Sequence, residues 1–132
     1  MAGITAFPDI PNTVEGAFGY DASFEASADI LAGQAVQIAS TGKIAPATAS
    51  TQKVIGVALY DIPAGAEGAI RVVGVARVAN GDGATAITAG AAVTASTLGG
   101  VVAHSTGTAL GIALEPIAGG ATGLVAIGVF TA

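Results

Sequence analysis

Apolar and small residues alternate with other residues along much of this chain, in segments too short for ordinary helices. The clearest segment is Ala69–Val78. One side of this segment, predicted to be core, holds Ile70, Val72, Gly74, Ala76 and Val78. The other side holds Arg71, Val73, Val75 and Arg77. A period of two is the pattern of a β-strand that buries one side. The second side, apolar in its middle and charged at its ends, is predicted to be partly covered by a neighbour.

The hairpin that contains this strand occurs twice. Its first strand is Val54–Ile62, and a Gly-rich turn leads into Ala69–Val78. Gly56-Val57-Ala58-Leu59 recurs as Gly111-Ile112-Ala113-Leu114, and Gly68-x-Ile70-x-Val72 recurs as Gly123-x-Val125-x-Ile127. Both segments are displaced by 55 positions. Equal displacement on the two sides of the turn indicates that the hairpin was duplicated as a unit.

The duplication extends upstream of the hairpin. Ile30–Val36 recurs as Ile87–Val93, displaced by 57 positions, and Gly42-Lys43-Ile44 is matched to Gly100-Val101-Val102, displaced by 58. Such small differences fit insertions in loops between fixed strands, where length changes cost little.

The predicted fold is therefore all-β: a small β-barrel or β-tulip-like domain at residues 30–132. Its two pseudo-repeated strand units span 30–78 and 87–130. Between them Asn80-Gly81-Asp82-Gly83 predicts a tight turn, because Asn-Gly and Asp-Gly readily supply the positive φ angles such turns need.

Residues 1–29 are predicted to form an extended N-terminal arm. Pro8 and Pro11 remove backbone donors and oppose a helix. Large apolar side chains are spaced along the segment, which is uncommon in a disordered tail, although a frayed terminus remains the alternative. An arm that orders on a partner is favoured. Its candidate contact residues are Phe7, Ile10, Val14 and Phe18, with the carboxylates Asp9, Glu15 and Asp21.

Charge is scarce and unevenly placed. Charged residues make up 10% of the 132-residue chain, against about 25% in ordinary domains, which predicts surface buried against protein partners. Residues 83–114 lack charge and are long enough to span a bilayer, but their Thr, Ser and Gly content opposes a membrane span. The net charge of −5 lies entirely in residues 1–30. Nucleic-acid binding requires a basic surface instead, so neither membrane nor nucleic acid is an expected partner.

The chain offers little catalytic or metal-binding chemistry. His104 is the only histidine and cysteine is absent, which excludes the usual zinc ligand sets. No Gly-x-Ser-x-Gly motif is present to mark a nucleophile. The Asn80–Gly83 segment lacks the spaced acids and closing Glu of a calcium loop. We therefore expect no catalytic residues, no metal, no cofactor and no enzymatic activity.

Two sets of motifs carry a resemblance to a known family. Ala-Gly-x-Ala-Val occurs at Ala32–Val36 and at Ala89–Val93, and the duplicated Gly and aliphatic spacings of the hairpin follow each copy. Over about residues 28–131 the chain resembles the small capsid cement (decoration) proteins of tailed bacteriophages. The resemblance implies a β-rich, commonly trimeric structural protein on the outer surface of the virion capsid. It would bridge major capsid protein subunits and stabilise the expanded shell, without catalytic residues.

Two other classes of function remain open. A small β carbohydrate-binding or adhesin-like module would present an aromatic platform, for which this chain offers only Tyr20, Phe24, Tyr60 and Phe130. An enzyme accessory domain of β-clip type would also contain Gly-rich hairpins, but it fits a short chain with an apolar arm less well.

Overall fold

The computed structural model describes residues 19–49, 52–96, 99–105 and 109–128, which form nine β-strands and no helix. The all-β class is confirmed. The strands are β1 Gly19–Glu25, β2 Ala35–Ile38, β3 Ile44–Pro46, β4 Val54–Ala58, β5 Glu67–Ala79, β6 Ala92–Ala95, β7 Val101–Ala103, β8 Gly111–Ala113 and β9 Thr122–Ile127. In the described part of the chain, no helix is available with the length and apolarity of a membrane span.

All nine strands belong to one antiparallel, curled sheet. Its order is β3-β2-β4-β5-β9-β8-β6-β7, and β1 also pairs with β5. The 13-residue strand β5 connects the two halves. Its first part pairs with β1 and β4, and its last part, Gly74–Ala79, pairs with β9.

The pairing defines two equivalent units that share β5. In the first unit β1 pairs with the start of β5, as Ala22 opposite Ile70. In the second unit the end of β5 pairs in the same way with β9, as Ala76 opposite Val125. Strand β1 is therefore the counterpart of the second half of β5. The segment 19–25, placed in the arm by the sequence pattern, lies within the sheet, and residues 1–18 are outside the described residues.

The register corrects one part of the repeat alignment. Ile38 faces Ile44 in the β2–β3 pair, and Ala95 faces Val101 in the β6–β7 pair. Ile44 therefore corresponds to Val101, 57 positions later, and not to Val102. The prediction was one residue out because Gly42 was aligned with the second glycine of a Gly-Gly pair. Its counterpart is Gly99, with φ of 87° against 84° at Gly42.

Each unit curls into a small barrel-like shape. A parallel bridge joins Ala26, just after β1, to Ile44 in β3. An equivalent bridge joins Asn80, just after β5, to Val101 in β7. These contacts bring the first and third strands of each unit together, so the sheet curls on itself separately within each unit.

The core consists of aliphatic side chains in two clusters. The cluster of the first unit contains Ala26, Ile30, Val36, Ile44, Ala58, Ile62 and Ile70. The cluster of the second unit includes the matching residues Ile87, Val93, Val101, Ala113, Ile117 and Val125. On β5, Ile70, Ala76 and Val78 are buried and Val73 and Arg77 are exposed, as the alternation predicted. Val72 and Gly74, predicted to be core, are only half-buried, and Arg71, predicted to lie on the other side, is buried.

The wall of the first unit packs against one end of the barrel formed by the second unit. Ala35, Ala47 and Val57, on the outer wall of the first unit, belong to the core cluster of the second unit. The same cluster contains the residues at one end of the second barrel, namely Ala76, Ala95, Leu110 and Ile127. The wall of one barrel thus closes an end of the other. A backbone bond from Ala79 N–H to the Gly33 carbonyl, 3.1 Å, supports the same contact.

The segment Asn80–Gly83 does not form the predicted tight turn. Neither Gly81 nor Gly83 has a positive φ, and Gly81 N–H donates to the Val101 carbonyl instead. Asn80 is buried, with its side-chain amide donating to the carbonyls of Thr85, Ile117 and Ala118. Glycine is needed at 81 because a Cβ there would meet the Gly99 carbonyl.

Candidate interaction surface

The predicted contact residues lie at and before the start of the sheet. Phe7, Asp9, Ile10, Val14, Glu15 and Phe18 fall outside the described residues. Asp21 is the one predicted contact residue that the structure describes, in the first half of β1. The described part of the surface is therefore the root of the arm.

Asp21 is bound to an arginine of the neighbouring strand. The guanidinium of Arg71 donates from Nε to Asp21 Oδ1 at 2.6 Å and from Nη2 to Oδ2 at 3.1 Å. Arg71 Nη1 also donates to the Val75 carbonyl at 2.7 Å. Arg71 is 6% exposed, whereas the Asp21 side chain remains 36% exposed. The pair joins β1 to β5, so the Asp21 carboxylate has a structural role whatever else it contacts.

This ion pair has an apolar counterpart in the second unit. Asp21 faces Arg71 across β1 and β5, and Val75 faces Ala126 at the matching place between β5 and β9. At the displacement of 55 positions, Ala126 takes the place of Arg71 in the second copy. The repeat alignment of the sequence did not reveal the exchange of the partner, because that alignment began at Ile30 and left out β1. Aligning residues 19–25 with 73–79 would have revealed that both residues of the ion pair are replaced together, Asp21 by Val75 and Arg71 by Ala126.

An exposed apolar pair lies where the arm joins the sheet. Tyr20 is 76% exposed and its cross-strand neighbour Val73 is 50% exposed. Gly19 is paired with Gly74, and both have positive φ, of 146° and 125°. A Cβ on Gly19 would meet the Val73 carbonyl and the Arg71 side chain. The glycine pair therefore allows the chain to enter the sheet beside the exposed apolar side chains.

The described residues show little that fits small-molecule chemistry. They contain no group of three or more His, Cys, Asp or Glu side chains placed to hold a metal ion. A shallow cavity of about 180 Å³ is lined partly by Asp29, Leu31 and Asp61, which is smaller than the roughly 300–1,000 Å³ of typical ligand pockets. Its carboxylates accept backbone N–H groups of Ala64 at 2.9 Å and of Ala32 at 2.8 Å.

Aromatic side chains in the described segments are used individually. Phe24 packs against the core cluster of the first unit. The hydroxyl of Tyr60 accepts a hydrogen bond from the Ala69 N–H at 3.3 Å. In the second unit the carboxylate of Glu115 accepts from the Leu124 N–H at 2.8 Å, which is the equivalent bond. Tyr60 is thus explained by a backbone contact rather than by a glycan platform.

In the loop between the units, hydrogen bonds act on the carboxylate of Asp82. The Ala84 N–H and, second, the Thr85 hydroxyl donate to Asp82 and lower its pKa. Both donors belong to the same loop, and Asp82 is half-buried. This arrangement orders the loop locally.

Comparison with known proteins agrees with this picture of a structural β-domain. The model of a family described as phage cement protein matches residues 21–129. Among solved structures, the head fiber gp8.5 N base of bacteriophage phi29 matches with a TM-score of 0.65 and 19% identity. That alignment covers 82% of this chain and 92% of the other, and it shows a shared fold. No curated protein matches the chain. The family match extends over most of the chain, and the chain belongs to the phage cement protein family.

Proposed function

We propose that this chain is a head decoration protein that binds the outer surface of an assembled phage capsid and bridges adjacent major capsid protein subunits. Family membership already assigns it a structural role associated with the phage capsid. The observation that carries the finer proposal is the join at Gly19, where an apolar, acidic segment of 18 residues meets a β-body beside exposed Tyr20 and Val73.

The arm supplies the apolar anchors of the proposed contact. Phe7, Ile10, Val14 and Phe18 are spaced along it, and partner surfaces bind such side chains in separate pockets. An extended segment can reach more than one neighbouring subunit, because each residue adds up to about 3.3–3.6 Å of span. We propose that this reach lets the arm bridge subunits, with the body as its fixed end.

The acids of the arm supply orientation and speed of association. Asp9 and Glu15 are the carboxylates of residues 1–18, and we propose that they face basic groups of the capsid protein. Asp21 is held by Arg71, so its part in the contact is to fix the root of the arm. Binding is then expected to weaken as ionic strength rises, since exposed charges are screened over about 8–10 Å.

Self-association as a homotrimer would strengthen this attachment. Three arms on one particle would bind three nearby sites, and linked weak contacts bind far more tightly than single ones. The body then serves as a scaffold that needs no catalytic residue, cofactor or metal. We propose accordingly that the protein has no enzymatic activity.

Removal of the arm tests the proposal. The variant lacking residues 1–18 keeps every described strand, so we expect normal folding by circular dichroism. In co-sedimentation with expanded, undecorated capsids of the same phage, we expect at least about a 100-fold loss of affinity, because the anchors are gone.

A matched variant separates charge from apolar anchoring. Asp9→Asn with Glu15→Gln is expected to bind more slowly and with less salt dependence while retaining saturation of the capsid. Unchanged affinity after removal of residues 1–18 would refute the arm as anchor. Failure of the intact chain to bind any capsid state would refute the decoration function itself.

A further inference from the structure

The contact between the two units uses the wall of the first unit and an end of the second unit. The matching wall of the second unit and the matching end of the first unit are not used in this contact. In the first unit, the wall residues Ala35, Ala47 and Val57 are fully buried against the second unit. Their counterparts on the second unit are Ala92, His104 and Ile112, and each is only half-buried. Two residues after Val57 and Ile112 the same difference recurs, since Leu114 is 50% exposed whereas Leu59 packs against the core.

The barrel ends show the reverse asymmetry. In the second unit the end residues Ala76, Ala95, Leu110 and Ile127 are buried beneath the wall of the first unit, each at most 4% exposed. Their counterparts Ala22, Ile38, Ile55 and Val72 in the first unit are half-buried. All four are apolar, and Tyr20 lies two residues before Ala22.

We propose that a second copy of this chain fills the open end, its wall at Ala92 and Ile112 packing on Ala22, Ile38, Ile55 and Val72 of the first copy. The occupant is assigned by the contact that the chain already makes with itself. Ala92 is paired with Ile112 as Ala35 is paired with Val57, so the two walls present the same backbone geometry. Ile112 in place of Val57 adds one methylene to the apolar face.

This contact joins two different surfaces, so it is a heterologous contact that repeats from copy to copy. Such contacts close into rings or continue as open fibres. Three chains would place six barrel-like units in a ring, each end closed by the wall of its neighbour. The inference rests on the self-association in the proposed function and adds the surfaces that carry it.

Two single variants give the contact a directional test in the isolated protein. Ile112→Glu places a charge on the wall, and Ile55→Glu places one at the open end, with Ala22→Glu as a second end variant in case Ile55→Glu folds poorly. By sedimentation velocity, the wild type is expected as a closed oligomer larger than the 12.5 kDa chain. Each variant is expected to be monomeric, with an apparent Kd raised at least about 100-fold.

Mixing separates this arrangement from a symmetric one. The Ile112→Glu chain keeps a sound end and the Ile55→Glu chain keeps a sound wall, so a mixture of the two should form dimers and nothing larger. A symmetric two-fold contact of wall with wall would leave the Ile55→Glu variant fully assembled, and one of end with end would leave the Ile112→Glu variant fully assembled. Either result would overturn the proposal. Leu31→Glu, on an exposed apolar residue in neither patch, is expected to keep the wild-type mass.

Other occupants of the open end would give different results. A monomeric wild type whose open end becomes accessible only after removal of residues 1–18 would show that the arm fills it. A monomeric wild type in which the end variants block capsid binding would show that the capsid protein fills it. Either result overturns the proposal. If the chain assembles by this contact but does not bind capsids, the decoration function alone is refuted.

Discussion

Gly56 and Gly111 occupy the same place in the two hairpins for a steric reason. A Cβ on Gly56 would meet the Arg71 carbonyl, and a Cβ on Gly111 would meet the Ala126 carbonyl. The paired glycines Gly68 and Gly123 are covered by the side chains of Ile62 and Ile117. The repeated glycines thus set the close approach of strands and side chains, which is why both copies keep them although their charged residues differ.

We predict that Gly56→Ala lowers the free energy of unfolding by about 2–3 kcal/mol, because the methyl group forces neighbouring backbone apart. Gly83→Ala is the matched control, since nothing lies within 4 Å of its Cβ position and its φ is not positive. The control is expected to be neutral within about 0.5 kcal/mol. Urea unfolding of both variants measures the difference, and equal losses would contradict the steric account.

The second unit has Val75 and Ala126 where the first unit has Asp21 and Arg71, and these replacements define the substitutions for a double-mutant cycle. Asp21→Val alone leaves the buried guanidinium without its carboxylate and is expected to cost about 1–3 kcal/mol. Adding Arg71→Ala reproduces the apolar pair of the second unit and should recover part of that loss. Urea unfolding of the four proteins gives the coupling. Strictly additive effects would show that the ion pair contributes nothing to the β1–β5 contact.

At the level of strands, hydrophobic alternation and repeat displacement predicted the β-body well, because period and spacing directly reflect which side of a strand is buried. The buried positions Ile70, Ala76 and Val78 of β5 and the two copies of the hairpin could be read in this way, but the burial of Arg71 could not. Strand β1 was missed, because its partner copy is the second half of β5 and carries almost no identical residues. The side-chain role of Asn80 was also missed, since a turn signal describes backbone preference and not burial.

The loop after β5 gives a prediction at this scale. Asn80→Ala should lower the free energy of unfolding by about 1–3 kcal/mol, because three buried or half-buried carbonyls lose their shared donor. The first unit has Ala26 at this position, but it needs no such donor because its loop is three residues shorter. Thermal unfolding followed by circular dichroism measures the loss. An unchanged transition would contradict the anchoring role.

The lowered pKa of Asp82, in the same loop, predicts that the free energy of unfolding depends on pH. Its pKa is lowered in the folded protein, so its stabilising effect is fully present above the ordinary aspartate pKa and is lost as pH falls through the folded pKa. Asp82→Ala should therefore be less stable than the wild type at neutral pH. That difference should shrink as pH falls below 3.8. A difference that grows with acidity, measured by urea unfolding across pH, would contradict the assigned bonds.

At the scale of the whole molecule, two curled units with small apolar cores share strand β5. Its described surface places an arm root and an open apolar barrel end on the same unit, where Tyr20 joins them. The proposed attachment to the capsid and the proposed association with further copies would then share one region. The sequence could indicate the arm but not the open end, because that feature exists only once the two units are packed.

The central claim is that the protein cements a phage head, and the thermal stability of capsids tests it most directly. Undecorated expanded capsids would be heated with the intact chain, with the variant lacking residues 1–18, and alone, and shell disruption followed by light scattering. The intact chain is predicted to raise the disruption temperature in a saturable manner, and the variant to leave it unchanged. Capsids that saturate with the intact chain yet disrupt at the same temperature would contradict the claim.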